Sequence, residues 1–162
     1  MRIVCVMAIV LSLAACGGGG GGGASSGVPA LQSAVSGVAA SGNGISGRVY
    51  IKDVTGQERF VDTTTGSFTL MVSGLTPPYL LKAQWTAGGG TQTLYSFATA
   101  AGTVDITPLT ALAVTAAAGG LSLDAVYAAP TAGAFNAIAA ALPAAVAQLR
   151  SCLLYTSDAA DE

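Results

Sequence analysis

The period of the apolar residues changes once along this chain, near residue 107, and no other feature constrains the fold as strongly. From residue 35 to 107, short β-type runs are separated by turn residues at the spacing of a two-sheet sandwich, about every 8–12 positions. Residues 35–40 are the first run, closed by the turn Ser41-Gly42-Asn43-Gly44. Residues 47–52 follow, with Val49 and Ile51 on one face and Arg48 and Lys52 on the other. Residues 57–63, 67–72, 79–85 and 91–97 continue the series, and residues 103–106 complete seven strands. Phe68, Leu70 and Val72 share a face, as do Tyr79, Leu81, Ala83 and Trp85. Pro77-Pro78 belongs to a loop, because proline cannot donate to a central ladder. Phe60, Phe68, Leu70, Leu81 and Trp85 are the expected core.

Beyond residue 107 the pattern is helical. Thr107 is an N-cap with Pro108 in the first turn, and Gly119-Gly120 ends the helix. Its apolar stripe is Leu109, Leu112, Ala113 and Ala116. Ser122 caps a short helix through Tyr127, with Asp124 placed well against its N-terminal dipole. Residues 131–150 carry Phe135, Ile138, Leu142, Val146 and Leu149 at helical spacing, and Pro143 should kink or restart this helix. Asn136, Pro143 and Gln148 interrupt the apolar run, so it reads as a packing helix rather than a membrane span. The expected class is mainly β: a small seven-stranded sandwich followed by Ala-rich α-helices.

Composition removes whole classes of chemistry. The 162 residues include no His, which excludes an imidazole base, a Ser-His or Cys-His pair and a His metal ligand. A net charge of −2 without a basic cluster excludes the usual footprint of a nucleic-acid binder. Lys52 and Lys82 alternate outward on strands, so a Ser-Lys dyad is not expected. Asp53 and Asp62 flank one hairpin but do not fit a calcium loop; they read as surface turn residues in ion pairs. Tyr79, Trp85, Tyr95 and Phe97 could stack on a sugar, but aromatics at period two read first as core. No catalytic residue, cofactor or metal site is expected, and the chain is read as a non-enzyme.

The N-terminus has a basic start at Arg2 and an apolar run over residues 3–13, too short to span a bilayer and typical of a secretory signal. Leu13-Ala14-Ala15-Cys16 follows and resembles the lipobox of bacterial lipoproteins. That resemblance implies recognition of Leu13, Ala14 and Ala15 by a dedicated signal peptidase, cleavage before Cys16, and acylation of its thiol with palmitate-type chains. Several acyl chains on one cysteine give durable membrane attachment. In that family Gly17, where an Asp would signal retention at the inner membrane, implies an outer-membrane destination. Residues 17–23 are all glycine and continue as Ala24-Ser25-Ser26-Gly27, which should form a disordered tether. A phosphate loop is excluded because no strand precedes the glycines and no Lys-Ser/Thr follows.

Within the β region, Val35-Ser36-Gly37, Ser46-Gly47-Arg48-Val49, Thr63-Thr64-Thr65-Gly66-Ser67-Phe68-Thr69-Leu70 and Gly74 to Ala83 resemble the carboxypeptidase regulatory-like (transthyretin-like) domain. In that family the Gly-Ser/Tyr-Phe element closes a turn and opens a core strand. The resemblance covers about half of the chain and implies a small seven-stranded Ig/transthyretin-like sandwich, an accessory fold without catalytic residues. The expected organisation is a signal peptide over residues 1–15, a lipidated tether over 16–33, a sandwich over 34–107 and a helical segment over 108–151. Residues 152–162 break in character, and their back-translation resembles a transposase mosaic-end adapter from sequencing libraries. The expectation is that the reading frame enters adapter near Ser151, that the natural chain continues differently, and that a further helix packs on the Phe135 to Leu149 stripe. Between Cys16 and Ser151, Arg48, Lys52, Arg59, Lys82 and Arg150 balance Asp53, Glu58, Asp62, Asp105 and Asp124.

Three functions follow as expectations. The first is a lipid-anchored envelope protein displaying a non-catalytic binding or structural module to a protein or glycan partner. The second is the N-terminal accessory part of a longer envelope enzyme or transport component. The third is an assembly scaffold that docks a partner through the helices.

Overall fold

The structure is a computed structural model that describes residues 33–158. Seven strands form two sheets. The first is three-stranded, with β1 (Ala34–Val38) between β6 (Ser67–Met71), antiparallel, and β9 (Gly102–Thr103), parallel. The second is antiparallel and four-stranded, in the order β5 (Glu58–Thr63), β4 (Gly47–Asp53), β7 (Tyr79–Ala87), β8 (Gly90–Ala98). Between β1 and β4, the short strands β2 (Ala40–Ser41) and β3 (Asn43–Gly44) pair around Gly42. The last strand is shorter than its sequence suggests: only Gly102 and Thr103 pair with β1, and Ile106 makes an isolated bridge to Ala39.

Alternation seats the first core. Val49 and Ile51 of β4, Tyr79, Leu81 and Ala83 of β7, and Val35, Phe68 and Leu70 of the other sheet close on one another with almost no exposure. Burying each large side chain contributes roughly 1.5–3 kcal/mol. Gly66 makes the entry to β6: its φ is +85°, and a Cβ there would lie 2.3 Å from the Ala39 carbonyl oxygen. Phe68, two residues on, is buried. Two of the expected core residues are corrected. Phe60 is 54% exposed, because residues 58, 60 and 62 of β5 point to the outer face of the sheet, and Trp85 packs against the core only in part.

A second core lies on the outer face of the four-stranded sheet. Leu80, Tyr95 and Phe97 are buried there under α1 (Pro108–Ala117), α2 (Leu123–Ala128) and α3 (Ala132–Asp158). Phe97 meets Phe135 at a ring-centroid distance of 5.8 Å, and Ile138 is fully buried beside them. Phe135 and Ile138 of the stripe therefore find their partner in the sheet, whereas Val146 and Leu149 further along line a groove beside α1. Thr107 caps α1 in a reciprocal box with Thr110, and Ser122 caps α2.

Two helical expectations are corrected. Helix α1 buries Ala113, Val114 and Ala117 and leaves Leu109 and Leu112 exposed. Nearly all of α1 is apolar, so periodicity does not single out a face, and the small residues allow close approach to β8. Helix α3 runs unbroken through Pro143, which is exposed.

Candidate functional site

The outer face of the four-stranded sheet is a grid set by register. One row runs Glu58, Lys52, Leu80, Phe97; the next Phe60, Tyr50, Lys82, Tyr95; the third Asp62, Arg48, Gln84, Thr93. The helices bury the Leu80 and Phe97 end of this grid. The third row instead borders an open groove of about 680 Å³, lined among others by Arg48, Tyr50, Asp62, Gln84 and Thr91. Gly47 borders the groove at a position with no room for a side chain: a Cβ there would lie 2.2 Å from the Gln84 carbonyl oxygen.

Arg48 organises the groove. Its Nε donates to Asp62 Oδ1 at 2.7 Å and its Nη2 to Oδ2 at 3.0 Å, while the guanidinium carbon lies 4.3 Å from the Phe60 ring centroid. Such a fork on a carboxylate is geometrically fixed. The hydrogen bond from Arg48 holds the Asp62 carboxyl below the usual range, and the same bond raises the guanidinium further. With threonine hydroxyls and the Gln84 amide around it, this face can hold a polar ligand through hydrogen bonds.

A charged aromatic cluster marks the border between bare and covered sheet. Tyr127 of α2 donates its hydroxyl to Glu58 Oε2 at 2.6 Å, and Lys52 Nζ lies 3.2 Å from the same oxygen. Lys82 Nζ sits 4.0 Å from the Tyr127 ring centroid and 4.6 Å from that of Tyr50. Tyr95 donates to Asp124 Oδ1 at 2.6 Å. Burial would raise the Glu58 carboxyl, but the bonds from Tyr127 and Lys52 outweigh it and lower it. Burial lowers the Lys82 ammonium, and burial together with acceptance by Glu58 raises the Tyr127 hydroxyl. These contacts pin α2 to the sheet.

The lipobox residues Leu13, Ala14, Ala15 and Cys16 lie outside the described residues. Lys52 and Lys82 do face outward, yet both are engaged by Tyr127. Asp53 and Asp62 sit at opposite ends of the β4–β5 hairpin, which separates them. Asp62 makes the expected exposed ion pair, whereas Asp53 is fully buried and accepts hydrogen bonds from Thr55 and Gln57 of its turn and from the Thr76 amide of the loop before β7. The four aromatics of the sugar-stacking reading divide between two faces: Tyr79 and Trp85 belong to the inner core, Tyr95 and Phe97 to the outer one. They cannot form one platform. Sequence reasoning missed Glu58, Tyr95, Asp124 and Tyr127 as a set; the shared parity of Tyr50, Lys52 and Lys82 was the available signal. Among the described residues, no group of three His, Cys, Asp or Glu could hold a metal ion. Comparison with protein-family models, curated proteins and solved structures gives no match.

Proposed function

We propose that this chain is a bacterial envelope lipoprotein, acylated at Cys16 and directed to the outer membrane, that displays a non-catalytic transthyretin-like sandwich with a helical layer. Its binding face is the bare third row of the four-stranded sheet, which suits a protein or glycan partner rich in hydrogen-bonding groups. One observation carries the reading. The order Leu13-Ala14-Ala15-Cys16, then glycines, stands ahead of the described fold, in which β1 starts at Ala34. The accessory nature rests on the absence of His from the sequence and on the role of Gly66-Ser67-Phe68, which open a core strand.

The test is Cys16→Ser in cells fed radiolabelled palmitate. The parent chain should carry label and fractionate with outer membranes; the variant should carry none and remain unprocessed or soluble. A labelled, membrane-bound variant would refute the lipobox reading.

A further inference from the structure

The α1–α3 side of the helical layer keeps two large apolar side chains in solvent beside an open apolar groove. Leu109 and Leu112, one turn apart on α1, are 48% and 53% exposed, while Ala113, Val114 and Ala117 of the same helix face inward. Beside them an apolar groove of about 170 Å³ opens between α1 and α3, lined among others by Leu109, Ala113, Val146 and Leu149. A second hollow of about 240 Å³ shares Ala113 and Val146 with it. Charge is sparse here: from Thr107 to Leu149 the only charged residue in the sequence is Asp124, engaged by Tyr95, and Asp105, which lines the second hollow, accepts from the Val38 amide. The single charge lining the groove is Arg150, a cation. Exposed apolar patches bordered by a polar group mark interaction surfaces.

We infer that this face docks on the lipid bilayer to which the chain is tethered, with Leu109 and Leu112 at the headgroup–acyl boundary and Arg150 toward lipid phosphates. The inference rests on the lipid-anchor reading, because that reading fixes where the chain before the fold ends. Seventeen residues separate Cys16 from Ala34, and they span at most about 60 Å however they are arranged. The bilayer is thus permanently within reach, and a weak surface contact becomes an intramolecular one. Charge favours lipid over a second copy of the chain. Phosphate headgroups would neutralise Arg150, whereas the same face of a second copy brings another Arg150 and, among the described side chains, only Asp105 and Asp124, which already hold hydrogen bonds. A transmembrane role for α3 is a different matter: Ala132–Leu154 is long and apolar enough to cross a membrane, but insertion would pull Phe135 and Ile138 out of the second core.

The experiment couples the chain chemically, so that it does not depend on acylation in cells. A chain starting at Cys16 and carrying Cys152→Ser is attached through its one thiol to maleimide lipid in phosphatidylethanolamine–phosphatidylglycerol vesicles. Leu112→Trp adds a second indole to the single natural one, Trp85. In vesicles with brominated acyl chains, the emission added by Leu112→Trp should fall by at least about a third, as expected at a depth of roughly 5–10 Å. Adding Leu109→Glu, an exposed position, should restore that emission while leaving the circular-dichroism melt unchanged. Unquenched emission from the coupled chain would overturn the inference, as would sedimentation showing a dimer that Leu109→Glu dissociates. Failure of the palmitate test with quenching intact would sink the anchor reading alone.

Discussion

Asp53 closes the β4–β5 turn from inside the protein. Its Oδ1 accepts from the Thr55 amide and hydroxyl, both at 2.8 Å, and from the Gln57 amide at 2.9 Å; its Oδ2 accepts from the Thr76 amide at 2.8 Å. One carboxylate therefore joins the hairpin turn to the loop before β7. Burial alone would raise its pKa, but the bonds from Thr76, Thr55 and Gln57 prevail and hold it below the usual aspartate range. Because the folded pKa is depressed, this group stabilises the fold above the unfolded value, and the contribution is lost as pH falls through the folded one. Asp53→Ala should cost about 2–4 kcal/mol in urea denaturation at neutral pH, since it strands buried donors. It should also flatten the loss of stability below about pH 4. Asp62→Ala should leave the midpoint nearly unchanged, because its ion pair with Arg48 is exposed. Equal effects at the two positions would contradict the assignment of Asp53 as the buried organiser.

At the level of elements, turn chemistry and alternation were legible while the layer order was not. Thr107-Pro108, Ser122 and the glycine pair 119–120 mark the helix ends because caps are local, and the structure keeps each of them. Odd positions of β4 and β7 announced the inner core for the same reason. The outer face was hidden because lysines at 52 and 82 share it with Leu80, so its alternation reads as solvent-facing until α2 supplies Tyr127 and α3 supplies Phe135. The groove was illegible for a related reason: Arg48, Asp62 and Gln84 meet only through register, across strands far apart in sequence. Pro143 is a further case. Its ring leaves the Ala139 carbonyl without the usual helical donor, yet α3 continues, because Phe135 and Ile138 before it are held by the sheet. Pro143→Ala should therefore stabilise the protein by about 1–3 kcal/mol, read as a higher urea midpoint. A lower midpoint would mean that the proline's geometry is needed to seat the second half of the helix on α1.

For the whole molecule, the question is whether the sandwich is the domain and the helices an appendage. Each side chain stranded by removal of the helices is a large apolar group. Leu80, Tyr95 and Phe97 are all buried on the outer face, and none has another element to cover it. At roughly 1.5–3 kcal/mol apiece their exposure removes about 5–9 kcal/mol, which is comparable with the entire stability of an ordinary domain. The inner core would remain, as would the ladders, so the loss is of cooperativity more than of strand content. A chain of residues 33–107 should accordingly keep a sheet-type far-ultraviolet spectrum, bind a hydrophobic dye such as ANS, and unfold over a broad temperature range. Residues 33–158 should melt in one sharp transition without dye binding. Restoring solubility to the shorter chain should require polar substitutions at Leu80 and Phe97, the two side chains that the helices cover on the sheet's first row. A sharp, dye-silent melt of residues 33–107 would show that the inner core suffices, and would turn the helical layer into an addition that evolution could remove without unfolding the sandwich.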